Sequence, residues 1–562
     1  MLLAGCGLPG AWAGRAQWRI LDTGFGPGLN FLAAWRAWKD DPRRPRMLHY
    51  AAIAAQPVGP GDLLRGTAAF PELHSLAGEL AAQWWGLLPG FHRLSFDGGR
   101  VLLTLCVGEA AAMLRELRCG ADSVFLDAAW EPATAKAVVR LCRRCTGIAA
   151  PSMTDGARGE LVQCGFRLRS EGAGLSGTYA PAWEPKVRGD AIEPVPAGRC
   201  AVIGGGLAGA AVAASLARRG WQVQVLDAHP APAQGTSSLP AGLMAPHQSP
   251  DDNLLSRLTR AGARITLAQC EDLLVPGQDW QRSGALEHRL GDPRCAPDLG
   301  DGGAAWTCTA DAARKADAGL AETDQAWWHA AAAWIKPAAL VNAWLVQPGI
   351  TWRGGVTVQA VARDADGWRV VDAQGADCAR ADLVVVAAAL GSAALLDQRL
   401  ALNPVRGQVS WGWHDDASQL PPWPVNGHGH LLPAFPLDGG MAWLSGSTYG
   451  RGDTATDTRP ADQQANLERL RQLAPCAAAS LEAQFARGTV QAWAGVRCTA
   501  RDRRPLAGLL APGLAVSTAM GSRGLTFAAL CAELIAARLH GEPPPLPGRL
   551  ADALDAGRQL PG

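Results

Sequence analysis

Apolar runs of strand length alternate with a helix-periodic stretch through the first half of the chain. The strand-like runs are Trp18–Leu21, Leu48–Ile53, Val101–Val107 and Val124–Asp127, and apolar residues recur at helical spacing over Leu29–Trp38. Strands that alternate with helices in this way are typical of a parallel α/β sheet. The pattern therefore predicts an α/β fold for this half.

A second strand, turn, helix and strand begin near residue 200. The pattern predicts a strand over Cys200–Ile203, a helix over Ala208–Arg219, a strand over Gln222–Asp227 and a further helix near Leu525–Leu539. The segment Tyr179–Arg199 between the halves is rich in proline, glycine and charge, which is typical of a linker.

The chain has 562 residues, which suffices for two or three cores. Its 48% apolar and 18% charged residues exclude a disordered, collagen-like or coiled-coil protein and favour a soluble globular enzyme. We predict three segments, namely a first α/β domain over 1–178, a linker over 179–198 and a second nucleotide-binding domain over 199–562.

The turn after the strand near residue 200 has the dinucleotide fingerprint. Gly204, Gly206 and Gly209 form G-x-G-x-x-G, and Asp227 ends the next strand eighteen residues later. Such glycines permit a tight turn, close approach to a pyrophosphate and close helix packing, while the acid binds ribose hydroxyls. The alternative is a glycine-rich turn without a ligand, and the fingerprint alone leaves FAD and NAD open.

A second glycine turn follows the first strand of the chain. Asp22, Gly24, Gly26 and Gly28 form an acid-x-G-x-G-x-G pattern of the kind that binds the methionine part of S-adenosylmethionine. An ordinary α/β turn built from small residues is the alternative.

The net charge of the chain does not indicate whether it binds a nucleic acid. There are 52 basic and 51 acidic residues, so a nucleic acid would have to be bound by a local basic patch. Arg36, Lys39, Arg43, Arg44 and Arg46 could contact phosphates, or they could form an ordinary solvated turn.

Neither membrane nor metal is expected. The longest apolar runs are shorter than the ~20 residues of a membrane span, and residues 1–6 do not form a signal peptide, so we predict a cytosolic protein. The 14 cysteines contain one C-x-x-C, at Cys142 and Cys145, without the second pair of a zinc ribbon. His428 and His430 are interpreted as a loop pair rather than as metal ligands.

Four segments of the second half resemble the glycine oxidase and D-amino acid oxidase class of flavoproteins. They are Pro404–Gln408, Val384–Gly391, Gly495–Arg497 followed by Asp502–Gly508, and Gly521–Leu525. The resemblance implies FAD as the cofactor and oxidation of a C–N bond. It also implies that Arg497 binds the substrate carboxylate, which suits a planar guanidinium; a surface salt bridge is the alternative.

The same resemblance places the last of these segments beside the flavin. Gly521, Arg523, Gly524 and Leu525 would pass close to the isoalloxazine ring, with the following helix directing its N-terminus at the ring's carbonyl edge. A helix cap without a ligand is the alternative.

The two halves together resemble one bacterial family. The turn G-F-G-x-G-L-N-F over residues 24–31, joined to Pro240–Leu243, Ser256–Gly262 and Gly521–Thr526, is similar to the bifunctional tRNA 5-methylaminomethyl-2-thiouridine biosynthesis proteins. The resemblance implies a Rossmann-like methyltransferase domain followed by a glycine-oxidase-like FAD domain with a mixed-sheet substrate part. The FAD domain would remove the carboxymethyl group of 5-carboxymethylaminomethyluridine at the tRNA wobble position, and the other domain would methylate the resulting amine from S-adenosylmethionine.

The methyltransferase half departs from the family pattern. Ala54 replaces the acid expected to bind ribose hydroxyls, which should weaken S-adenosylmethionine binding by roughly 1–3 kcal/mol. Asp127 remains where the family needs a carboxylate near the target amine, but the segment after it, from Ala128 to Pro132, is altered and shortened. Glu109 stands at the adenine position in place of Asp, and the chain begins late relative to the family.

We therefore expect a monomeric, cytosolic tRNA-modifying enzyme whose FAD half works and whose methyltransferase half is impaired. The alternative is an oxidase of a free small amino acid that retains a vestigial methyltransferase domain. Such an oxidase would turn over glycine or sarcosine, which the tRNA enzyme would ignore.

Overall fold

The computed structural model describes residues 2–127, 132–171, 174–184, 194–292 and 294–559. The chain divides into two compact units, each with most of its contacts inside itself. The first comprises 1–197, 218–220 and 536–552, and the second comprises 198–217, 221–535 and 553–562. The predicted domain limits at 178 and 199 remain predictions.

The first unit is an α/β sheet with helices. Its strands are β1 Gln17–Asp22, β2 Met47–Ala54, β3 Gly90–Phe96, β4 Val101–Val107, β5 Ala121–Phe125, β6 Cys142–Ala150, β7 Phe166–Glu171 and β8 Gly174–Tyr179. Its helices before residue 197 are α1 Leu2–Gly5, α2 Leu29–Asp40, α3 Pro60–Gly66, α4 His74–Ala82, α5 Ala110–Glu116, α6 Pro132–Val139 and α7 Asp155–Gln163.

The strand order of this sheet is β3-β4-β2-β1-β5-β6-β8-β7. Strands β4, β2, β1, β5 and β6 are parallel, as predicted, whereas β3 and β8 pair antiparallel with their neighbours. The sheet is thus mixed at its edges, where an antiparallel strand can be added by a short connection. The chain leaves β1 to one side for β2 and later returns to the other side as β5, so a ligand-binding crevice is expected at the carboxyl end of β1.

Apolar periodicity explains the elements that flank this crevice. Every residue of β2 and β4 is buried, as expected for central strands covered on both faces. Helix α2 buries Phe31, Trp35 and Trp38 at helical spacing, and Phe31 contacts Tyr50 of β2 with ring centroids 5.2 Å apart. The predicted strand Val124–Asp127 is corrected, because β5 ends at Phe125 and Asp127 lies in the turn after it.

The second half of the chain contributes strands β9 to β29. These are β9 Arg199–Ile203, β10 Gln222–Leu226, β11 Gly242–Met244, β12 Trp280–Gln281, β13 Ala285–His288, β14 Thr307–Thr309, β15 Ala326–His329, β16 Ala333–Ile335, β17 Ile350–Arg353, β18 Val358–Asp364, β19 Gly367–Asp372, β20 Asp377–Ala381, β21 Leu383–Val386, β22 Leu402–Trp413, β23 Val425–Gly427, β24 Gly429–Leu437, β25 Gly440–Gly446, β26 Gly450–Arg451, β27 Gln491–Ala500, β28 Leu506–Ala511 and β29 Leu514–Thr518.

Its helices follow the same order. They are α8 Leu207–Arg218, α9 Leu254–Leu273, α10 Ala312–Asp317, α11 Pro337–Leu345, α12 Ser392–Leu395, α13 Pro460–Leu473, α14 Pro475–Ala486, α15 Gly524–His540 and α16 Gly548–Asp552. Helices α8 and α15 agree with the predicted helices to within one residue at each end.

Two large sheets organise the second unit. A six-stranded sheet has the order β17-β10-β9-β21-β29-β28 and is parallel except at β28. A nine-stranded mixed sheet contains β22 to β27 together with β13, β14 and β15. The first is the nucleotide-binding part that the fingerprint predicts, and the second is the predicted mixed-sheet substrate part.

A buried ion-pair network lies within the first unit. Arg219 donates to both carboxylate oxygens of Glu542 at 2.7 Å, and His49 Nε2 lies 3.4 Å from the same carboxylate. Burial by itself would raise the pKa of Glu542, but the charges of Arg219 and His49 outweigh it and hold that pKa well below its usual range.

We predict that Arg219→Met destabilises the protein by about 3–5 kcal/mol, because Glu542 would stay buried without its bidentate partner. Urea unfolding followed by tryptophan fluorescence measures the change. The double variant Arg219→Met/Glu542→Met should recover much of the loss. Arg399→Met, at an exposed arginine, should change the free energy of unfolding by less than about 0.5 kcal/mol; a loss of similar size there would contradict the prediction.

Candidate functional sites

A cavity of about 1040 Å³ in the second unit brings together most of the residues predicted to bind FAD and its substrate. Gly204, Gly206, Asp227 and Arg497 line it, as do all four predicted residues between Gly521 and Leu525. Gly209 does not line it, since it lies inside α8.

The turn between β9 and α8 has room for backbone only. Gly204 has a φ of +114°, and a Cβ there would lie 2.4 Å from the Ala387 carbonyl oxygen. A Cβ on Gly209 would lie 1.8 Å from the carbonyl oxygen of Gly204, so the helix packs directly on the turn. Both requirements fit the roles assigned to the fingerprint glycines.

Asp227 follows β10 at the edge of this turn. Its carboxylate accepts hydrogen bonds from the backbone N–H groups of Gly205 at 2.6 Å and His229 at 2.8 Å. These bonds orient the carboxylate beside the cavity. His229 Nδ1 also lies 3.0 Å from Oδ1, so Oδ2 is the oxygen that keeps a further lone pair for a ribose hydroxyl. The glycine turn, the oriented acid and the large cavity fit a bound dinucleotide.

Helix α15 begins at the cavity wall. Gly524, Leu525 and Thr526 form its first turn and line the cavity, so its N-terminal N–H groups are directed at this space. Gly521 precedes the helix with a φ of +59°. A helix N-terminus in this place suits the electron-rich carbonyl edge of a flavin.

Arg497 lies on β27 and extends across the neighbouring strand β22. A Cβ on Gly407 would come 2.1 Å from Arg497 Nη1, so only glycine permits this position of the guanidinium. Nη2 donates to the Ser447 hydroxyl at 2.7 Å, whereas Nη1 is buried and has no hydrogen-bond partner. A carboxylate ligand would supply the missing acceptor.

Within the described residues no carboxylate pairs with Arg497, so the alternative of a surface salt bridge is not supported. The guanidinium lies 5.3 Å from the centre of the Tyr449 ring. Burial lowers the pKa of Arg497, and the Tyr449 side chain opposes that shift.

His430 corrects one sequence interpretation. It is the second residue of β24 rather than a loop residue. In the sheet register it pairs with Gly446 of β25. Gly446 in turn pairs with Val409 of β22, and Val409 pairs with Trp493 of β27. All four line the cavity, so one row across four strands forms part of its wall. Burial, assisted by the charge of Arg497, lowers the pKa of His430 to about 4, so its ring is neutral near pH 7.

The cavity wall carries an excess of positive charge. Its acids are Asp227 and Glu287 and its arginines are Arg469, Arg497 and Arg523. Burial alone would raise the pKa of Glu287, but His329 and Arg289 outweigh it and hold that pKa to about 2. Since no arginine of this set forms an ion pair with a described residue, the site favours an anionic ligand.

The second candidate site lies at the carboxyl ends of β1, β4 and β5 in the first unit. Asp22 ends β1 and is buried; its carboxylate accepts hydrogen bonds from the Gly24 N–H at 3.0 Å and the Tyr50 hydroxyl at 2.5 Å. Burial raises the pKa of Asp22 to about 6 against the effect of these bonds. Gly26 and Gly28 complete the turn, and both have a positive φ.

Asp127 reaches this turn from the end of β5. A Cβ on Gly24 would lie 2.4 Å from Asp127 Oδ2, and the Asp127 N–H donates to the Thr23 hydroxyl at 2.9 Å. The structure thus brings together two acids, Asp22 and Asp127, that are about a hundred residues apart in sequence. The altered segment beyond Asp127 is described only from Pro132 onward, so Ala128–Glu131 lie outside the described residues.

Glu109 and Ala54 mark the far side of the site. Glu109 caps α5, where its two oxygens accept the N–H groups of Ala111 and Ala112 at 2.8 and 2.7 Å, and these bonds lower its pKa. Ala54 ends β2 and is 7% exposed, so the strand presents no acceptor there. The glycine turn fits S-adenosylmethionine, and the position predicted to carry an acid for the ribose hydroxyls has an alanine.

The described residues contain neither a membrane-spanning helix nor a group of metal-ligating side chains. In the described ranges, every helix is too short or too polar to span a bilayer. Across the same residues, His, Cys, Asp and Glu side chains form no group of three or more that could bind a metal ion.

Comparison with known proteins identifies both domain families. Residues 199–538 match the family described as FAD dependent oxidoreductase, and residues 71–174 match the one described as S-adenosyl-L-methionine-dependent methyltransferase. The chain is 50% identical to the tRNA 5-methylaminomethyl-2-thiouridine biosynthesis bifunctional protein of a Polaromonas species, over 99% of this chain and 93% of that protein. This chain belongs to that bifunctional family.

Other relatives of the bifunctional family agree. The protein of the same name from Verminephrobacter eiseniae is 49% identical, over 99% of this chain and 98% of its own length. Among solved structures, L-proline dehydrogenase from P. horikoshii superposes with a TM-score of 0.53 at 15% identity, covering 65% of this chain and 98% of that one. That likeness confirms the fold of the FAD-dependent half. The family implies FAD and S-adenosylmethionine as cofactors.

Several site residues were not selected from the sequence. Gly407 lies within the P-V-R-G-Q segment, but its task of admitting the Arg497 guanidinium depends on strand pairing. Ser447, Tyr449 and Arg469 also line the cavity, and no motif pointed to them. The pairing of Gly407 with Gly495, two residues from Arg497, is the signal that could have found Gly407, and it is visible only with the register.

We predict that Gly204→Ala weakens FAD binding at least about tenfold, because alanine cannot adopt this φ cheaply and its methyl group would contact the Ala387 carbonyl. The flavin-to-protein absorbance ratio and FAD titration of apoprotein measure the effect. Gly78→Ala, an exposed glycine in α4 with open space around it, is the matched control and should keep full flavin content. Full flavin content in Gly204→Ala would contradict the fingerprint assignment.

We predict that Ala54→Glu tightens S-adenosylmethionine binding roughly ten- to a hundred-fold, because it restores an acceptor for two ribose hydroxyls. Isothermal titration calorimetry measures the Kd. Ala55→Glu adds the same charge one residue later, on an exposed position outside β2, and serves as control. An equal gain from Ala55→Glu would mean that charge alone acts, and the assignment of Ala54 would be wrong.

Proposed function

We propose that this chain modifies the wobble uridine of tRNA in the cytosol, acting as a monomer in two steps. The second unit removes the carboxymethyl group from 5-carboxymethylaminomethyl-(2-thio)uridine, and the first methylates the resulting amine. The observation that carries the proposal is the 50% identity, over 99% of the chain, to a bifunctional protein named for biosynthesis of this nucleoside.

In the first step Arg497 binds the carboxylate of the substrate. Its unpartnered Nη1 and its contact with Ser447 support a fixed, bidentate geometry, which positions the methylene carbon between carboxylate and nitrogen. Bound FAD would supply the two-electron oxidant for this carbon, and Gly204, Gly206, Asp227 and the first turn of α15 would hold it. Loss of a hydride from the carbon leaves an iminium ion; water adds to its carbon, and the C–N bond breaks to release glyoxylate and a proton and to leave an aminomethyl group.

The surroundings of Arg497 support this chemistry. His430 is neutral near pH 7 and lies on the same wall, so it adds no charge that would compete for the carboxylate. The first turn of α15 would stabilise negative charge that develops at the electron-accepting ring.

In the second step Asp127 accepts a proton from, or orients, the substrate amine, because a protonated amine has no lone pair with which to attack a methyl group. S-adenosylmethionine, when bound, supplies that methyl group. Asp22 and the Gly24–Gly28 turn would hold the methionine part, and Glu109 would face the adenine. The absence of an acid at Ala54 supports weak cofactor binding, so we expect methylation to be slow.

We predict that incubation with carboxymethylaminomethyl-bearing tRNA yields the aminomethyl nucleoside, and that added S-adenosylmethionine converts only part of it to methylaminomethyl nucleoside. Nucleoside mass spectrometry measures both products. Arg497→Ala should keep its flavin but lose activity by at least about a hundredfold, and Arg497→Lys should recover little, since an ammonium cannot bind a carboxylate bidentately.

Unchanged tRNA from a flavin-loaded wild-type protein would contradict the proposal. Peroxide release from glycine or sarcosine under those conditions would establish the free-amino-acid oxidase instead. An unchanged rate in Arg497→Ala would show that the carboxylate is bound elsewhere.

A further inference from the structure

Tyr449 is an exposed aromatic residue in the wall of a polar cavity. It lies three residues after the end of β25, and 52% of its surface is exposed. No described residue forms a hydrogen bond with its hydroxyl group. An aromatic side chain that is left uncovered beside a ligand cavity is a candidate contact for a flat ligand group.

Two arginines of the same cavity wall are joined through Ser447, two residues before this tyrosine. Arg469 Nη1 donates to the Ser447 carbonyl oxygen at 3.1 Å, and Arg497 Nη2 donates to the Ser447 hydroxyl at 2.7 Å. Arg497 also lies 5.3 Å from the centre of the Tyr449 ring. Ser447 therefore fixes both guanidinium groups beside the cavity.

Neither arginine is neutralised by a described carboxylate. Two of the basic residues near the end of α2 differ in this respect, because Arg36 pairs with Asp40 at 2.6 Å and Lys39 with Asp97 at 2.8 Å. An uncompensated pair of guanidinium groups that line one cavity favours a ligand with two anionic groups.

The proposed substrate has a carboxylate at the end of its arm and phosphates in the RNA chain. The arm joins the pyrimidine ring to the carboxylate carbon through four bonds, which span about 5 Å when extended. The Arg497 guanidinium lies 5.3 Å from the centre of the Tyr449 ring. The arm of a substrate whose carboxylate binds Arg497 is therefore long enough for the pyrimidine to reach Tyr449.

We propose that Tyr449 stacks against the uracil ring of the modified nucleotide and that Arg469 binds a phosphate next to it. This inference rests on the proposed function and deepens it. Stacking on an aromatic side chain and a guanidinium–phosphate contact are general means of binding single-stranded RNA. A free amino acid offers neither a ring nor a phosphate, so the Tyr449–Ser447–Arg469 group favours a nucleotide substrate over a free amino acid.

The test uses the full flavin-loaded chain and an anticodon stem-loop RNA that carries 5-carboxymethylaminomethyluridine. Tyr449→Ala should weaken the Kd for this RNA roughly 5- to 100-fold, and Tyr449→Phe should restore most of the affinity because it keeps the ring. Arg469→Ala should lower the slope of log Kd against log salt concentration by about 0.7, the value for one single-strand phosphate contact. Arg399→Ala, at an exposed arginine outside the cavity, should leave Kd and slope unchanged.

N-acetylglycine, followed by its effect on flavin absorbance, is the second probe, since it has a carboxylate but no pyrimidine or phosphate. Tyr449→Ala should weaken binding of the stem-loop far more than it weakens binding of this probe, whereas Arg497→Ala should weaken binding of both. The stacking proposal would be overturned if Tyr449→Ala lost affinity for both ligands to the same extent, or if it bound the RNA as tightly as the wild-type protein does. An unchanged salt slope in Arg469→Ala would overturn the phosphate contact.

These RNA contacts and the proposed function can fail separately. If wild-type protein converts the stem-loop but the variants match it, the proposed function stands and only the assignment of Tyr449 and Arg469 falls. If the wild-type protein neither binds nor converts the RNA, both fall.

Discussion

A desolvated guanidinium without a counter-charge is the constraint around which the second unit is arranged. Arg497 reaches its position only because Gly407, on the paired strand, has no side chain, and it keeps Nη1 unpartnered inside the cavity. A buried cation of this kind disfavours the empty site and is compensated when an anion binds. Neighbouring groups leave that charge uncompensated: Glu287 is already satisfied by His329 and Arg289, and His430 stays neutral.

Both units contain a glycine turn of the same physical kind. The turn connects a buried parallel strand to a helix, so backbone N–H groups and a helix N-terminus are available to a cofactor, as at β9–α8 and β1–α2. The two sites differ at the end of the next strand along the chain. Asp227 provides an oriented acceptor in the second unit, whereas β2 of the first ends in Ala54. The predicted dinucleotide site therefore has a carboxylate at this place, and the predicted S-adenosylmethionine site does not.

The arrangement also explains how one cavity can select a nucleotide although its chemistry acts on a glycine-like unit. Carboxylate binding by Arg497 would suit any small N-substituted glycine. Selectivity must then come from groups farther from the reacting carbon, and Tyr449 and Arg469 line the same cavity. Binding energy from such remote contacts positions the arm for oxidation, and a substrate without ring or phosphate cannot use it.

Local sequence pattern by itself determined the strands and helices that flank each glycine turn, because these depend on residues close together in sequence. FAD as the cofactor, the family and the choice of Arg497 came from the resemblance of longer segments to known proteins, since the glycine fingerprint alone fits either FAD or NAD. Tertiary structure alone decided the rest. The approach of Asp127 to Gly24, the space over Gly407, the strand position of His430 and the grouping of Tyr449 with Arg469 all join segments that are separated in sequence. Strand register and sheet order set those distances, and neither is encoded in any short stretch of sequence.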